Sequence, residues 1–431
     1  MIKDLRDKEV VMVTYAYPPY RAIGSIRSDN ISKQFLKHFK SVIILTTDNV
    51  TKSIDVNREN LNVKRLWTLD YDKLRRVINI GNRKKIRSKS NESLSSDISF
   101  FSKMVNSFPF NLIFGLGGLM YILSGIFYGL FQLKKKDIIL FSSFSPLSDH
   151  IIAFFIKIFK PKAYWIADYR DVIIMPDSPS VLFPKLEIFI HKQIMKKANV
   201  VAVVSEGHKN YFKKYAVKAV VLRNSTNLND KLDTQEILPS NSIFRITYTG
   251  RLYKDKRNPS LMFKAIEDLI SQNKIDRNLI EVVYAGPESG YWLKKANNFS
   301  FKTIDMGMIS REEAIKTQLS SHILLMMNWN LPGLLGGLSG KLFEYFESNR
   351  YILAIIKGER DPELEEIFNN VKAGTVVYDH IDNGVKIKKF IYEKYASWLN
   401  GDFNHSPIAR KDLERYSWDS VFKIFIEEAI N

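Results

Sequence analysis

Two cations five residues apart, Arg251 and Lys256, follow the apolar run FRITYTG and precede a helical segment opening near Pro259. At the carboxyl end of the first strand of an α/β domain, such a pair can converge on one diphosphate; a solvated surface pair is the ordinary alternative. Further on, LPGLLGGLSGKLFEYFESNRYILAI (331–355) sets a glycine-rich loop before a helix starting near Gly340. Gly336, Gly337 and Gly340 let backbone approach a ligand closely, and Ser339, Lys341 and Glu344 surround the helix start. A carboxylate in that first turn can accept hydrogen bonds from ribose hydroxyls, or simply complement the helix dipole. Nearer the start of the chain, Gly24 and Ser25 stand where VVMVTYAY turns into a helix. Free N–H groups there attract phosphate, although the full G-x-G-x-x-G pattern is absent and a plain turn and cap would look the same. The segment ADYRD puts Asp168, Arg170 and Asp171 at the end of another strand, where a carboxylate can orient a hydroxyl or an Arg–Asp pair can fix the loop. His150 follows SPLSD at a helix start, and none of the seven histidines shows metal or triad spacing. No Asp-x-Asp motif occurs at these strand ends, so the chemistry is expected to need neither metal nor cofactor.

The elements that must position these residues alternate. Short apolar runs recur at 10–17, 41–47, 63–69, 137–143, 163–169, 199–205 and 219–224, with helical segments at 27–39, 147–159, 185–197 and 206–215 between them. Several runs are continuous rather than alternating, as strands buried on both faces should be. This βαβ order implies a parallel sheet. A polar segment at 225–243 reads as a linker, and a second series follows: strands at 244–250, 281–286, 301–307, 322–329, 351–356 and 374–378, helices at 259–272, 310–319, 340–348, 361–369 and 383–399. The expected division is therefore 1–225, 226–411 and a closing amphipathic helix, 412–431, which docks against a domain through Trp418, Val421, Phe422, Phe425 and Ile426.

Composition narrows the class. The 431 residues, 45% hydrophobic and 26% charged, exclude disordered, collagen-like and polytopic membrane proteins, and call for two or three domains. Cysteine is absent, which removes disulfides, thiolate zinc sites and a cysteine nucleophile. The opening MIKDLRDKEVVMVTYAY carries charges where a secretory signal has its apolar core, so a cytoplasmic location is expected. A net charge of +18 predicts an anionic partner. Much of it flanks residues 104–133, thirty residues without a charged side chain. Lys134, Lys135 and Lys136 follow this stretch, and the acid-free run 73–89 precedes it. A single span would divide one parallel sheet across a bilayer. The expected arrangement is instead one or two apolar helices, broken near Gly115, Gly117 and Gly118, lying in one leaflet against anionic head groups. A buried helix pair is the alternative.

In order and spacing the chain resembles family 4 glycosyltransferases, a GT-B group of two Rossmann-like domains facing a cleft. The resemblance rests on YPPYRAIGSIR, SSFSPLSDH, ADYRD, VVSEG, VLRNSTN, TYTGRLYKDKRNP, VVYAGPESG, GMISREEA, GLSGKLFEYFESNRYILA and ERYSW, and so covers nearly the whole chain. ADYRD resembles an element of the bacterial surface-polysaccharide members. The resemblance implies retaining transfer from a nucleotide-diphosphate sugar. Arg251 and Lys256 would hold the diphosphate, Gly24 and Ser25 would approach it from the other domain, Glu344 would take the ribose, and backbone at Met308 and Ile309 would meet the base. Ser339, Gly340 and Lys341 complete the donor set. Arg251, Lys256 and Asp171 are the catalytic candidates, and His150, Asp168 and Arg170 lie on the acceptor side. Gly336 stands where the family usually carries the first of two spaced glutamates. With the apolar stretch, the implied acceptor is a saccharide on a polyprenyl diphosphate, met by a peripheral or monotopic enzyme on the inner face of the cell membrane during capsule or O-antigen assembly. Nucleic acid is not an expected partner; a basic nucleic-acid-binding protein and a GT-B epimerase are the competing readings.

Overall fold

A computed structural model describes residues 7–20, 23–49, 59–71, 73, 100–175, 180–215, 217–228, 237–380 and 384–430. Apart from Lys73, the cations of the basic run 73–89 lie outside these residues, as does part of the 225–243 segment. The chain forms two compact units. One comprises 1–204, 212–223 and 422–431; the other comprises 205–211 and 224–421.

The first unit is a seven-stranded parallel sheet in the order β3-β2-β1-β4-β5-β6-β7. Its strands are β1 (Glu9–Val13), β2 (Ser41–Thr47), β3 (Leu61–Leu66), β4 (Ile138–Phe144), β5 (Tyr164–Tyr169), β6 (Val200–Val203) and β7 (Ala219–Val221). Val10 to Val13 and Ile138 to Phe141 are fully buried, which is why β1 and β4 read as unbroken apolar runs. Between the strands lie α1 (Ile23–His38), α2 (Phe100–Asn106), α3 (Phe110–Ile113), α4 (Gly118–Phe127), α5 (Leu147–Phe159) and α6 (Pro184–Lys197); α7 (Glu206–Phe212) follows β6 in the chain but belongs to the second unit up to residue 211. Helix α1 begins earlier than the sequence pattern indicates, so Gly24 and Ser25 fall in its first turn. Strand β3 ends at Leu66 rather than 69, because Trp67 and Leu69 are exposed and have no strand partner to continue the ladder.

The apolar stretch is several helices. After α3 the backbone turns through Gly117 (φ +90°) and Gly118 (φ +64°), left-handed values that glycine adopts without steric cost. Helix α4 follows and ends in a π turn, Tyr128–Gln132. Among the described residues no helix is long and apolar enough to cross a membrane.

The second unit is a six-stranded parallel sheet ordered β10-β9-β8-β11-β12-β13. It contains β8 (Phe244–Thr249), β9 (Ile280–Ala285), β10 (Lys302–Asp305), β11 (Ile323–Trp329), β12 (Tyr351–Lys357) and β13 (Gly374–Tyr378). Its helices are α8 (Ser260–Ser271), α9 (Ser289–Ala296), α10 (Arg311–Leu319), α11 (Gly340–Ser348), α12 (Pro362–Val371), α13 (Val385–Leu399) and α14 (Arg410–Leu413). Helix α9 is absent from the sequence reading: it spans only eight residues behind the turn-like GPESG, and it meets the core through buried Trp292 and Ala296 with partly buried Tyr291 beside them.

The last helix, α15 (Trp418–Ile430), returns to the first unit from Phe422 onward. Phe422 is fully buried edge-on to Phe35, 5.0 Å between rings, and Phe35 in turn meets Phe141 of β4. Tyr164 donates from its hydroxyl to the carbonyl of Ala429 at 2.5 Å. Phe422→Ala opens a cavity in the centre of this packing. It is expected to cost the first unit about 3–5 kcal/mol, read as a lowered urea midpoint.

Candidate functional site

In each sheet the strand order reverses once, and the loops on either side of that point flank the place where open α/β sheets receive ligands. In the second unit the reversal lies between β8 and β11. The loop after β8 is tightly held. Tyr248 donates its hydroxyl to the carbonyl of Arg251 at 2.6 Å, Arg257 donates Nη1 to the same oxygen at 3.1 Å, and the amide of Leu252 donates to Glu288 Oε2 at 3.1 Å. With its backbone fixed, Arg251 extends an exposed side chain. Tyr253 sits at φ +51°, an uncommon left-handed value for a residue with a side chain. Its ring lies 5.5 Å from that of Trp329 at the end of β11. Two cations cover these rings: the Arg257 guanidinium is 4.9 Å from Tyr253 and 5.3 Å from Trp329, and the Lys256 ammonium is 5.2 Å from Trp329. Beside them is a cavity of about 220 Å³ whose lining includes Lys256, Arg257, Lys264 and Lys357 but a single acid, Asp379. Lys256 is thus near Arg251 on one ordered loop. Arg257 and Trp329 join them, although the sequence reading passed over both.

From the other side of the reversal comes α11, with Ser339 as its N-cap residue and Gly340 as its first. Lys341 points away from solvent. Its ammonium donates to the carbonyl of Thr249 and lies between the Tyr248 and Tyr345 rings, 5.9 and 5.7 Å from their centres. Gly250 (φ +133°) makes room, since a Cβ there would come within 2.7 Å of the Lys341 Nζ. Burial pushes the Lys341 pKa down to about 8; Glu344 opposes that shift and Arg257 adds to it. The structure therefore gives Lys341 the task of tying the first turn of α11 to the end of β8. Glu344 follows just beyond the first turn, and its Oε1 accepts from Gln318 Nε2 at 2.7 Å. Gln318 is fully buried at the end of α10, also donating to Thr249 Oγ1 at 3.0 Å and accepting from Ser348 Oγ at 3.1 Å. Sequence reasoning missed it, because a glutamine among the charges of SREEAIKTQLS looks like part of a solvated helix face. Met308 and Ile309 lie on the loop between β10 and α10, where Met308 is 76% exposed and Ser310 and Glu313 form a reciprocal capping box.

In the first unit the reversal lies between β1 and β4. Gly24, in the first turn of α1, is pressed against Arg170: a Cβ there would stand 2.1 Å from Nη1. Arg170 donates Nη2 to the carbonyl of Ser145 at 2.8 Å, with Nε 3.5 Å from the exposed Asp171 carboxylate. Ser25 is buried behind Gly24. Asp168 has a structural environment instead. It is fully buried, paired with Arg27 at 2.9 Å, and accepts from Ser143 Oγ at 2.9 Å. His150 is also in the core, its Nδ1 2.7 Å from Ser142 Oγ and its ring packed on Phe144 and Tyr169. Burial and the nearby His191 hold its pKa well below the ordinary histidine value.

Lys341 yields a pH-dependent prediction. Its folded pKa lies below its unfolded value, so the unfolded chain binds more protons between about pH 8 and 10.5 and stability rises with pH across that window. Lys341→Met removes this rise. The stability gained by the parent over the variant from pH 8 to 10.5 is expected to be on the order of 2 kcal/mol, from urea unfolding at both pH values.

The sequence matches no family model and no curated protein. Solved structures match over almost the whole chain. A structure titled as trehalose-6-phosphate from E. coli bound with UDP-2-fluoro glucose superposes with a TM-score of 0.60 at 11% identity, covering 98% of each chain. An α,α-trehalose-phosphate synthase (UDP-forming) from Burkholderia xenovorans, in complex with glucose-6-phosphate, gives 0.61 at 9%, covering 98% of this chain and 100% of its own. TarM gives 0.60 at 12%, covering 98% and 99%. The two-domain GT-B fold expected from the sequence is thereby established.

Proposed function

We propose that this protein is a retaining glycosyltransferase that moves a sugar from a nucleotide diphosphate to a saccharide acceptor. The observation that carries the reading is the second unit's reversal point, where exposed Arg251, stacked Lys256 and Arg257, and the Gln318-held carboxylate of Glu344 stand around the ends of β8 and β11. The likeness to proteins titled with UDP-2-fluoro glucose and glucose-6-phosphate supports it. Transfer breaks the bond between the anomeric carbon and the diphosphate oxygen, which keeps the electron pair. The acceptor hydroxyl oxygen bonds to that carbon, and its proton passes to the departing phosphate. Negative charge thus builds where Arg251, Lys256 and the first turn of α11 stabilise it, an electrostatic contribution of about 3 kcal/mol for a single well-placed donor. Glu344 holds the ribose, backbone at Met308 and Ile309 meets the base, and Asp171 beside Arg170 orients a hydroxyl. No metal or other cofactor is assigned a role.

The acceptor in this reading is a saccharide on a polyprenyl diphosphate at an anionic membrane surface, in the assembly of a surface polysaccharide such as capsule or O-antigen. The charge-free stretch 104–133, followed by three lysines, supports that part.

Thermal unfolding with UDP-, GDP-, CMP- and dTDP-sugars tests the donor. One nucleotide class at about a hundred times its Kd is expected to raise the transition by roughly 5–10 °C. Arg251→Ala and Glu344→Ala should each abolish most of that shift, and Gln318→Leu should reduce it by loosening Glu344. A chain whose transition none of the four moves is not this enzyme.

A further inference from the structure

Helix α4 is packed inside out for a protein surrounded by water. Its small residues face the protein: Gly125 and Gly129 lie against Ile152 and Ile156 of α5, where a Cβ would come within 2.7 and 2.4 Å of those side chains. Tyr121 and Ile122 are buried on the same side. Its large apolar side chains face outward at four-residue spacing, with Leu119, Leu123, Phe127 and then Phe131 of the π turn 39%, 52%, 57% and 69% exposed. The Phe127 and Phe131 rings lie 4.9 Å apart on this outer side. Small residues inward and large ones outward is the pattern of helices whose surroundings are hydrocarbon. The adjoining helix adds exposed apolar side chains, Phe155, Ile158 and Phe159 of α5, although its buried side is made of large residues such as Ile152 and Ile156.

The polar groups around this face fit one kind of occupant. The π turn runs directly into Lys134, Lys135 and Lys136, all exposed, and no charged side chain interrupts 104–133. Apolar side chains bordered by lysines match a lipid leaflet, whose acyl chains take the former while anionic head groups take the latter. A protein partner would normally call for polar groups among the apolar ones to fix its register.

The geometry points to α4 and its π turn as the element by which this protein lies on an anionic membrane, parallel to its surface, with Leu119, Leu123, Phe127 and Phe131 in the acyl boundary and Lys134–Lys136 at the phosphates. It deepens the proposed lipid-borne acceptor by naming the surface that would meet it, and it is tested separately.

The test is co-sedimentation of the full chain with vesicles of phosphatidylcholine alone and of phosphatidylcholine with phosphatidylglycerol. The parent is expected to sediment with the mixed vesicles and more weakly with the neutral ones. The triple variant Leu123→Ser, Phe127→Ser, Phe131→Ser should lose about tenfold or more in partitioning to both. Lys134→Gln, Lys135→Gln, Lys136→Gln should lose only the preference for anionic vesicles, as high salt does to the parent. Both variants alter exposed side chains, so an unchanged thermal transition shows that they are folded. Partitioning of the serine variant equal to the parent overturns the proposal, as does a parent that ignores both vesicles. A parent that is a dimer in solution, made monomeric by the serine substitutions without vesicle binding, assigns the face to a second copy and also overturns it. Nucleotide-sugar shifts measured on the same variants should match the parent's. Their absence in every form defeats the transferase reading and leaves the vesicle result standing.

Discussion

Parallel strands buried on both faces leave a fold almost no place for chemistry except its ends. Here the side chains of β1, β4, β8 and β11 are mostly buried, polar ones such as Ser142, Thr247 and Thr249 included, so polar groups able to meet a ligand are displaced onto the segments at the strands' carboxyl termini. Those segments come together where the strand order reverses. Arg251 with Lys256 on the loop after β8, and Glu344 with Lys341 at the start of α11 after β11, are far apart in sequence but stand on the two sides of one such point.

Holding those loops still takes a second layer of polar groups, and it is buried. Thr249 shows how dense that layer is: its carbonyl receives the Lys341 ammonium, its hydroxyl receives Gln318, and Tyr345 lies within hydrogen-bonding distance of the same hydroxyl. In the first unit the Arg27–Asp168 pair does comparable work, joining α1 to β5 and, through a further Arg27 bond, to the carbonyl of Leu222. A buried ion pair of this kind gains little net stability over apolar packing, but breaking it leaves an uncompensated charge in the core.

This division explains what the sequence made legible. The strands could be read because burial on both faces writes itself as continuous apolar runs such as VVMV and IILF. Glycine marked the turns at Gly24 and Gly340 for a comparable local reason. Residues defined by distant partners could not be read. Gln318 has no local signature; its meaning comes from Glu344 and Thr249. Asp168 reads in ADYRD as a carboxylate able to orient a hydroxyl, and its burial against Arg27, which comes from α1, has no local signature. Arg257 reads as the third charge of a solvated DKR run, and only Trp329 turns it into part of a stacked platform. The apolar stretch was conspicuous in composition, but which side chains faced outward depended on where Gly125 and Gly129 met α5.

Two buried carboxylates give that stretch a mechanical character. Asp70 accepts from the amide of Gly117 and from the hydroxyl of Tyr15, each at 3.0 Å, while Asp149 accepts from the hydroxyl of Tyr121 and the amide of Tyr15 at 2.9 and 2.8 Å. The start of α4 and the turn leaving β1 are thereby clamped to the same two anchors. Tyr15 donates to both carboxylates, through its hydroxyl to Asp70 and its amide to Asp149, so the start of the helix and the end of β1 share one buried polar joint and neither can be repositioned without breaking bonds of the other.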